Sequence, residues 1–166
     1  MKGLTEGITG DSVMVSVLVI YYTRGGKTKR MAEAVAEGVV SAGAEGSVKG
    51  VDYANMIDLT ECDAVAFGSP NYFSYMAGDM KSFFDRGLGI RGRTEGKPAA
   101  AFTSGGGSSD TALASLERMI GAYRMVKAAE GIIQSGEMTE DVLERCRAMG
   151  EALAKAAAER TAEPTN

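Results

Sequence analysis

Residues 13–22, VMVSVLVIYY, are almost wholly branched-apolar or aromatic. A strand with one wet face would alternate apolar and polar residues; an unbroken run of this length fits a parallel strand covered by helices on both faces. It is therefore expected in the middle of a sheet. From Lys27 the period changes. Met31, Ala34, Val35, Gly38 and Val39 fall on one helical face, while Lys29, Arg30, Glu33 and Glu37 face away. Between run and helix stand Thr23, Arg24, Gly25, Gly26, Lys27 and Thr28. A strand that turns through glycine into a helix N-terminus presents free backbone N–H groups and the positive end of the helix dipole, which is an anion site commonly filled by phosphate. Thr23 and Thr28 add hydroxyl donors, Gly25 and Gly26 allow close approach of the backbone, and Arg24 and Lys27 add positive charge. A plain structural turn is the competing reading.

The rest of the chain repeats the strand and helix alternation of a doubly wound α/β sheet. The first helix stops at Ser41-Ala42-Gly43, and residues 44–53 form a weaker strand anchored by Val48 and Val51. Residues 58–61 lead into a short buried strand, residues 64–67. That strand ends in a loop over residues 68–78 that includes Ser69, Pro70, Asn71, Tyr72, Phe73, Ser74 and Tyr75. A helix follows with Met80, Phe83, Phe84 and Leu88 facing the sheet, then a basic, glycine-rich surface loop over residues 89–96. Residues 97–103 give the fourth strand, ending at Thr103, Ser104, Gly105, Gly106 and Gly107. Asp110 is the expected N-cap of a helix buried through Leu113, Leu116 and Ile120. A short fifth strand is expected over residues 124–129. The last helix runs from Thr139, with Val142, Cys146, Met149, Leu153 and Ala157 on its inner face. The whole reads as a loose leader over residues 1–12, one domain over 13–160 and a frayed tail over 161–166.

Composition removes several functional classes. With 166 residues, 45% of them apolar, the chain can bury one core. A formal charge of −4 leaves no basic face for nucleic acid. There is no histidine, which removes Ser-His-Asp triads and most catalytic zinc sites. Cys62 and Cys146 have neither metal-ligand nor redox-pair spacing and read as reduced thiols of a cytoplasmic protein. The leader has no apolar core, so neither a secretory signal nor a membrane span is expected there. The Gly26-Lys27-Thr28 triplet mimics the end of a Walker A loop, but Tyr21 stands where that motif needs glycine, and no acid closes the third strand to hold magnesium. No acidic pair follows the first strand, against a phospho-receiver.

In an open α/β sheet, ligands bind beyond the carboxyl ends of the strands where strand order reverses. The loops after the first, third and fourth strands converge there. One suits phosphate; the others, aromatic and glycine-rich, suit a flat ring stacked on a side chain and read at its edge by backbone groups. Flavin mononucleotide has both parts.

These residues carry a family resemblance over residues 13–157. The segment Thr23 to Thr28 resembles the T-x-T-G-x-T phosphate loop of flavodoxins, with Gly25 in place of the middle threonine. Gly68 to Lys81, GSPNYFSYMAGDMK, resembles the G-T-P-x-x-x-x-x-M-A-G-x-M-K signature of WrbA-like multimeric flavodoxins, and Phe102 to Gly107 is similar to the third FMN loop of that group. The resemblance implies a five-stranded flavodoxin-like sheet, FMN as cofactor, and all eighteen loop residues named above as its contacts, with no catalytic side chain and no metal. The WrbA-type quinone reductases carry a histidine in the third loop and a long insertion before the last helix, and this chain has neither.

Two functions remain, and the departures favour the first. As an electron carrier, the protein would pass electrons between redox partner proteins through bound FMN. As a reductase, it would take hydride from NAD(P)H and pass electrons to a quinone or similar small acceptor, with Arg91 and Arg93 meeting the nucleotide's phosphates. Because the relatives include multimers, a homo-oligomer is a further expectation, although no stripe identifies an interface.

Overall fold

The computed structural model describes residues 14–163. The expected leader, Val13 at the head of the first run and the last three residues of the expected tail lie outside the described residues. Strand β1, Ser16–Tyr21, is followed by helix α1, Lys27–Ser41, and strand β2, Glu45–Gly50. A 3-10 turn, Val51–Tyr53, and the short helix α2, Met56–Glu61, lead to β3, Ala64–Pro70. Helix α3, Gly78–Arg86, and a 3-10 segment, Leu88–Arg93, precede β4, Pro98–Ser104. Helix α4, Ser109–Ala122, the strands β5, Val126–Lys127, and β6, Ile132–Gln134, and helix α5, Glu140–Ala162, complete the fold.

All the strand pairings are parallel, in the order β2-β1-β3-β4, and the fifth position is shared by β5 and β6, both paired to β4. Helices cover both faces, and this explains the unbroken apolar run of β1. Val17 and Val19 pack in one layer with Met31 and Val35 of α1 and Met149 and Leu153 of α5. Leu18 and Ile20 pack in the other with Phe83 and Phe84 of α3 and Leu116 and Ile120 of α4. β1 is an interior strand, but the centre of the sheet belongs to β3. Helices α1 and α5 meet through glycine. A Cβ added to Gly38 would lie 1.9 Å from the Arg147 carbonyl oxygen, and one added to Gly150 would lie 1.9 Å from that of Val35.

Several boundaries differ from the sequence expectation. β2 stops at Gly50, so Val51 anchors the 3-10 turn rather than a strand, and Met56–Glu61 is a helix closed by an Asn55–Asp58 capping box. β3 runs on through Gly68, Ser69 and Pro70, which pair with Phe102, Thr103 and Ser104. The loop therefore begins at Asn71. Leu88 is 64% exposed because α3 ends at Arg86 and helical spacing no longer carries the residue inward. Ser108, not Asp110, takes the N-cap position of α4; Asp110 sits in its first turn. The fifth strand is reduced to two exposed residues, and β6 takes over the deeper pairing to β4. Helix α5 continues through Ala162, past the start of the expected frayed tail.

Candidate functional site

Beyond the carboxyl end of β1 the chain is tied to β3 by the Tyr22 N–H, which donates to Gly68 O at 3.0 Å. The Thr23 hydroxyl accepts the Gly26 N–H at 3.0 Å and closes the turn. Gly26 is the N-cap of α1, with φ at 99°, and no side chain caps the helix. Its first turn holds no acidic residue. A Cβ on Gly25 or Gly26 would meet no atom within 4 Å, so this corner of the turn faces open space. Arg24, Gly25, Gly26 and Lys27 are exposed, whereas the Thr28 side chain is buried and shares a 2.7 Å hydrogen bond with Ser104 Oγ. Lys27 Nζ donates to Gly136 O at 2.6 Å, which turns the lysine toward the segment after β6.

The loop after β3 is a tight hairpin. Tyr72 and Tyr75 exchange backbone hydrogen bonds of 2.9 and 3.1 Å across Phe73 and Ser74, whose φ values are 56° and 64°. Two central residues with positive φ describe a primed turn, a place usually taken by Asn-Gly. Phe73 at its tip is fully exposed and Tyr75 is 41% exposed. Tyr72 is half-buried, its ring edge-on to Tyr22 at 6.2 Å. Ser69 is fully buried; its Oγ accepts the Ala77 N–H at 2.8 Å and ties the base of the loop, where Pro70 ends the strand.

The third loop is locked to the second. Asn71 donates its backbone N–H to Ser104 O and its Nδ2 to Gly106 O, both at 2.7 Å. Gly105, with φ at 122°, donates to Gln134 O at 2.9 Å, and Gly107 has φ at 68°. Gly106 and Gly107 are exposed, while Thr103 and Ser104 are buried beneath them. All three loops thus stand together, with Thr28, Ser69, Thr103 and Ser104 as their buried floor. Among the described residues, the buried Asn71 Oδ1, Thr103 Oγ1 and Gln134 Oε1 have no hydrogen-bond partner.

Sequence reasoning missed one contributor. Gln134 is fully buried, and its Nε2 joins Lys27 on Gly136 O at 2.7 Å, so the segment after β6 backs the first and third loops. A lone glutamine carries no motif; only the pairing of β6 with β4 would have shown it. Arg91 and Arg93, by contrast, do not join the site. They lie between the end of α3 and the start of β4, at the opposite end of the strands from the loops. A concavity of about 560 Å³ lies at that opposite end, between Met14, Ala44, Ala154 and Lys155, so size alone does not mark the site. Cys62 and Cys146 are free and buried, and burial pushes their thiols up to about 11 and about 12, which leaves them unreactive. No cluster of metal-ligating side chains occurs among the described residues.

Comparison with known proteins agrees with this geometry. The family described as Flavodoxin domain matches residues 18–128. A flavodoxin of Aquifex aeolicus is 38% identical over 160 residues, covering 86% of each chain. A protein of Gluconacetobacter diazotrophicus named NAD(P)H dehydrogenase (quinone) is 40% identical over 113 residues, which span 55% of this chain and 57% of that relative. Among solved structures, a flavodoxin from the domain Archaea superposes with a TM-score of 0.80 at 26% identity, over 87% of this chain and 99% of its own. With a family match that runs from β1 to just past β5 and an aligned relative over most of both lengths, the chain belongs to the flavodoxin family.

Proposed function

We propose that the three-loop cluster binds FMN and that the protein carries electrons between redox partners through it. The N-terminus of α1 is the observation that carries this reading. Helices α2 and α5 close their N-termini with side chains, Asn55 accepting from Asp58 N–H and Thr139 from Val142 N–H. α1 has neither a side-chain cap nor an acid in its first turn, although the orphan N–H groups of a helix start require a partner. A phosphate above Gly25 and Gly26 supplies that partner, with Arg24 at its side.

The remaining residues fit the flat end of the same ligand. The exposed Phe73, with Tyr72 and Tyr75 flanking it, offers aromatic surface for stacking, and Asn71 and Gly105 to Gly107 offer backbone edges. The unpartnered Asn71 Oδ1 is an acceptor still to be satisfied at this point. Bound FMN supplies reversible one- and two-electron chemistry; the protein's part is to hold and tune it. Residues 71–80 and 102–110 contain no Lys or Arg, only Asp79 and Asp110, so the loops oppose added negative charge and favour a low potential.

A second reading is favoured by the relative named NAD(P)H dehydrogenase (quinone), in which the protein reduces a small acceptor with NAD(P)H. Against it stand the lack of histidine and the placement of Arg91 and Arg93 away from the loops. Anaerobic mixing of the yellow holoprotein with NADPH or NADH separates the two. The carrier leaves the flavin oxidised on the time scale of catalysis; rapid bleaching without an added reductase rejects it in favour of the enzyme.

A further inference from the structure

Strand β2 is an edge: among the described residues it pairs only with β1. The Glu45 N–H donates to Val15 O at 2.8 Å, so Glu45 turns its backbone groups toward β1. Backbone direction alternates along a strand, and hence Ser47 and Lys49 also face β1, while Gly46, Val48 and Gly50 present unpaired N–H and C=O groups to the free edge. No proline interrupts this row. Such an edge is a template for another strand. Beside it lies an open groove of about 500 Å³, floored by Ala36, Val40 and Val48 and rimmed by Glu33, Glu37 and Ser41. Val40 is 59% exposed.

We propose that this edge pairs with the same edge of a second copy, two β2 strands running antiparallel about a two-fold axis at Ser47. Charge complementarity selects both the occupant and the register. An antiparallel pair must place edge-facing residues opposite one another. Centring on Ser47 sets Gly46 against Val48 of the partner, twice, and makes four new backbone hydrogen bonds. The same register sets Glu45 against Lys49 of the partner, also twice, on the face away from α1. Shifting the axis to Gly46 or Val48 leaves both charges without an opposite. Lys49 already holds Asp58 at 3.0 Å and would bridge it to Glu45 of the partner. On the other face the two apolar grooves meet beside the axis, where Glu37 is already neutralised by Arg147 at 3.0 Å. The result is one continuous sheet through two molecules, with both three-loop clusters free.

Sedimentation velocity of the full-length protein across a concentration series tests this. The wild type is expected to dimerise reversibly. Glu45→Lys and Lys49→Glu should each weaken the dimer on the order of tenfold or more, because each sets like charges opposite at both ends of the pair. An equimolar mixture of the two variants should recover wild-type association as a heterodimer. Val40→Asp, on an exposed position that leaves folding intact, should weaken the dimer as well. A wild type that stays monomeric at about 200 µM, a dimer indifferent to Glu45→Lys, or a mixture that does not re-associate would each overturn the proposal. FMN content is an independent readout for Glu45→Lys, since Glu45 pairs with Ser16 at the end of the sheet opposite the loops.

Discussion

Phe73 and Ser74 hold the left-handed conformation without glycine, and a bulky aromatic there is strained. The strain is retained where the ring is fully exposed over the proposed ring site. Ser74→Gly should relieve part of it and raise unfolding stability by about 0.5–1 kcal/mol, read from urea denaturation of the apoprotein. Phe73→Ala should leave that stability within about 0.5 kcal/mol, since it buries nothing, yet weaken FMN binding in a fluorescence titration; unchanged affinity would move the stacking role to Tyr72 or Tyr75. At Gly26 the backbone has φ at 99°. Gly26→Val should therefore both strain the turn and cover the N–H groups, and retained FMN affinity in that variant would misplace the phosphate. Much of this was legible in the sequence, because glycine and aromatic clusters at strand ends report backbone needs directly. The fate of individual hydroxyls was not. Thr28, Ser69 and Thr103 look like ligand donors in sequence, but the first turn of α1 buries Thr28 and the strand register buries Ser69 and Thr103, and Thr28 and Ser69 hydrogen-bond inside the protein.

Elements with strong periodicity were read correctly in kind. β1 and α1 announce themselves through the switch from an unbroken apolar run to a 3.6-residue face, and α5 through its Thr139 start and inner face. The short pieces were illegible: α2 has six residues and β6 three, too few for a period to show, and their existence depends on the Asn55 capping box and on pairing to β4. The α1–α5 contact is likewise a tertiary fact, since Gly38 and Gly150 look like helix weaknesses until their partners are known. Each admits a neighbouring carbonyl oxygen where a methyl would clash. Gly150→Ala should cost about 3 kcal/mol, at the upper end for overpacking, in the same denaturation assay. A neutral effect would show that the two helices separate freely.

At the scale of the molecule, the stability should be lost on the alkaline side. Burial pushes the Cys62 thiol to about 11, the Cys146 thiol to about 12 and the Tyr123 hydroxyl to about 12. These acids stay protonated in the fold but ionise in the unfolded chain from about pH 8.5 for thiols and 10 for tyrosine. The unfolded state then binds fewer protons, so stability is full below about pH 8.5 and falls as pH rises toward the folded values. Cys146→Ala should flatten the thermal-melting profile between about pH 8.5 and about 12. Among the described residues, no helix is long and apolar enough to cross a membrane. The sheet delivers its three loops to one end, and the uncapped start of α1 there is the feature on which the FMN reading rests. Parallel fluorescence titrations of the apoprotein with FMN and with riboflavin, which lacks the phosphate, test that reading most directly. FMN should be bound tightly and riboflavin about 100-fold more weakly, a difference of about 2.7 kcal/mol for the phosphate. Equal affinity for the two, or no quenching by either, would contradict it.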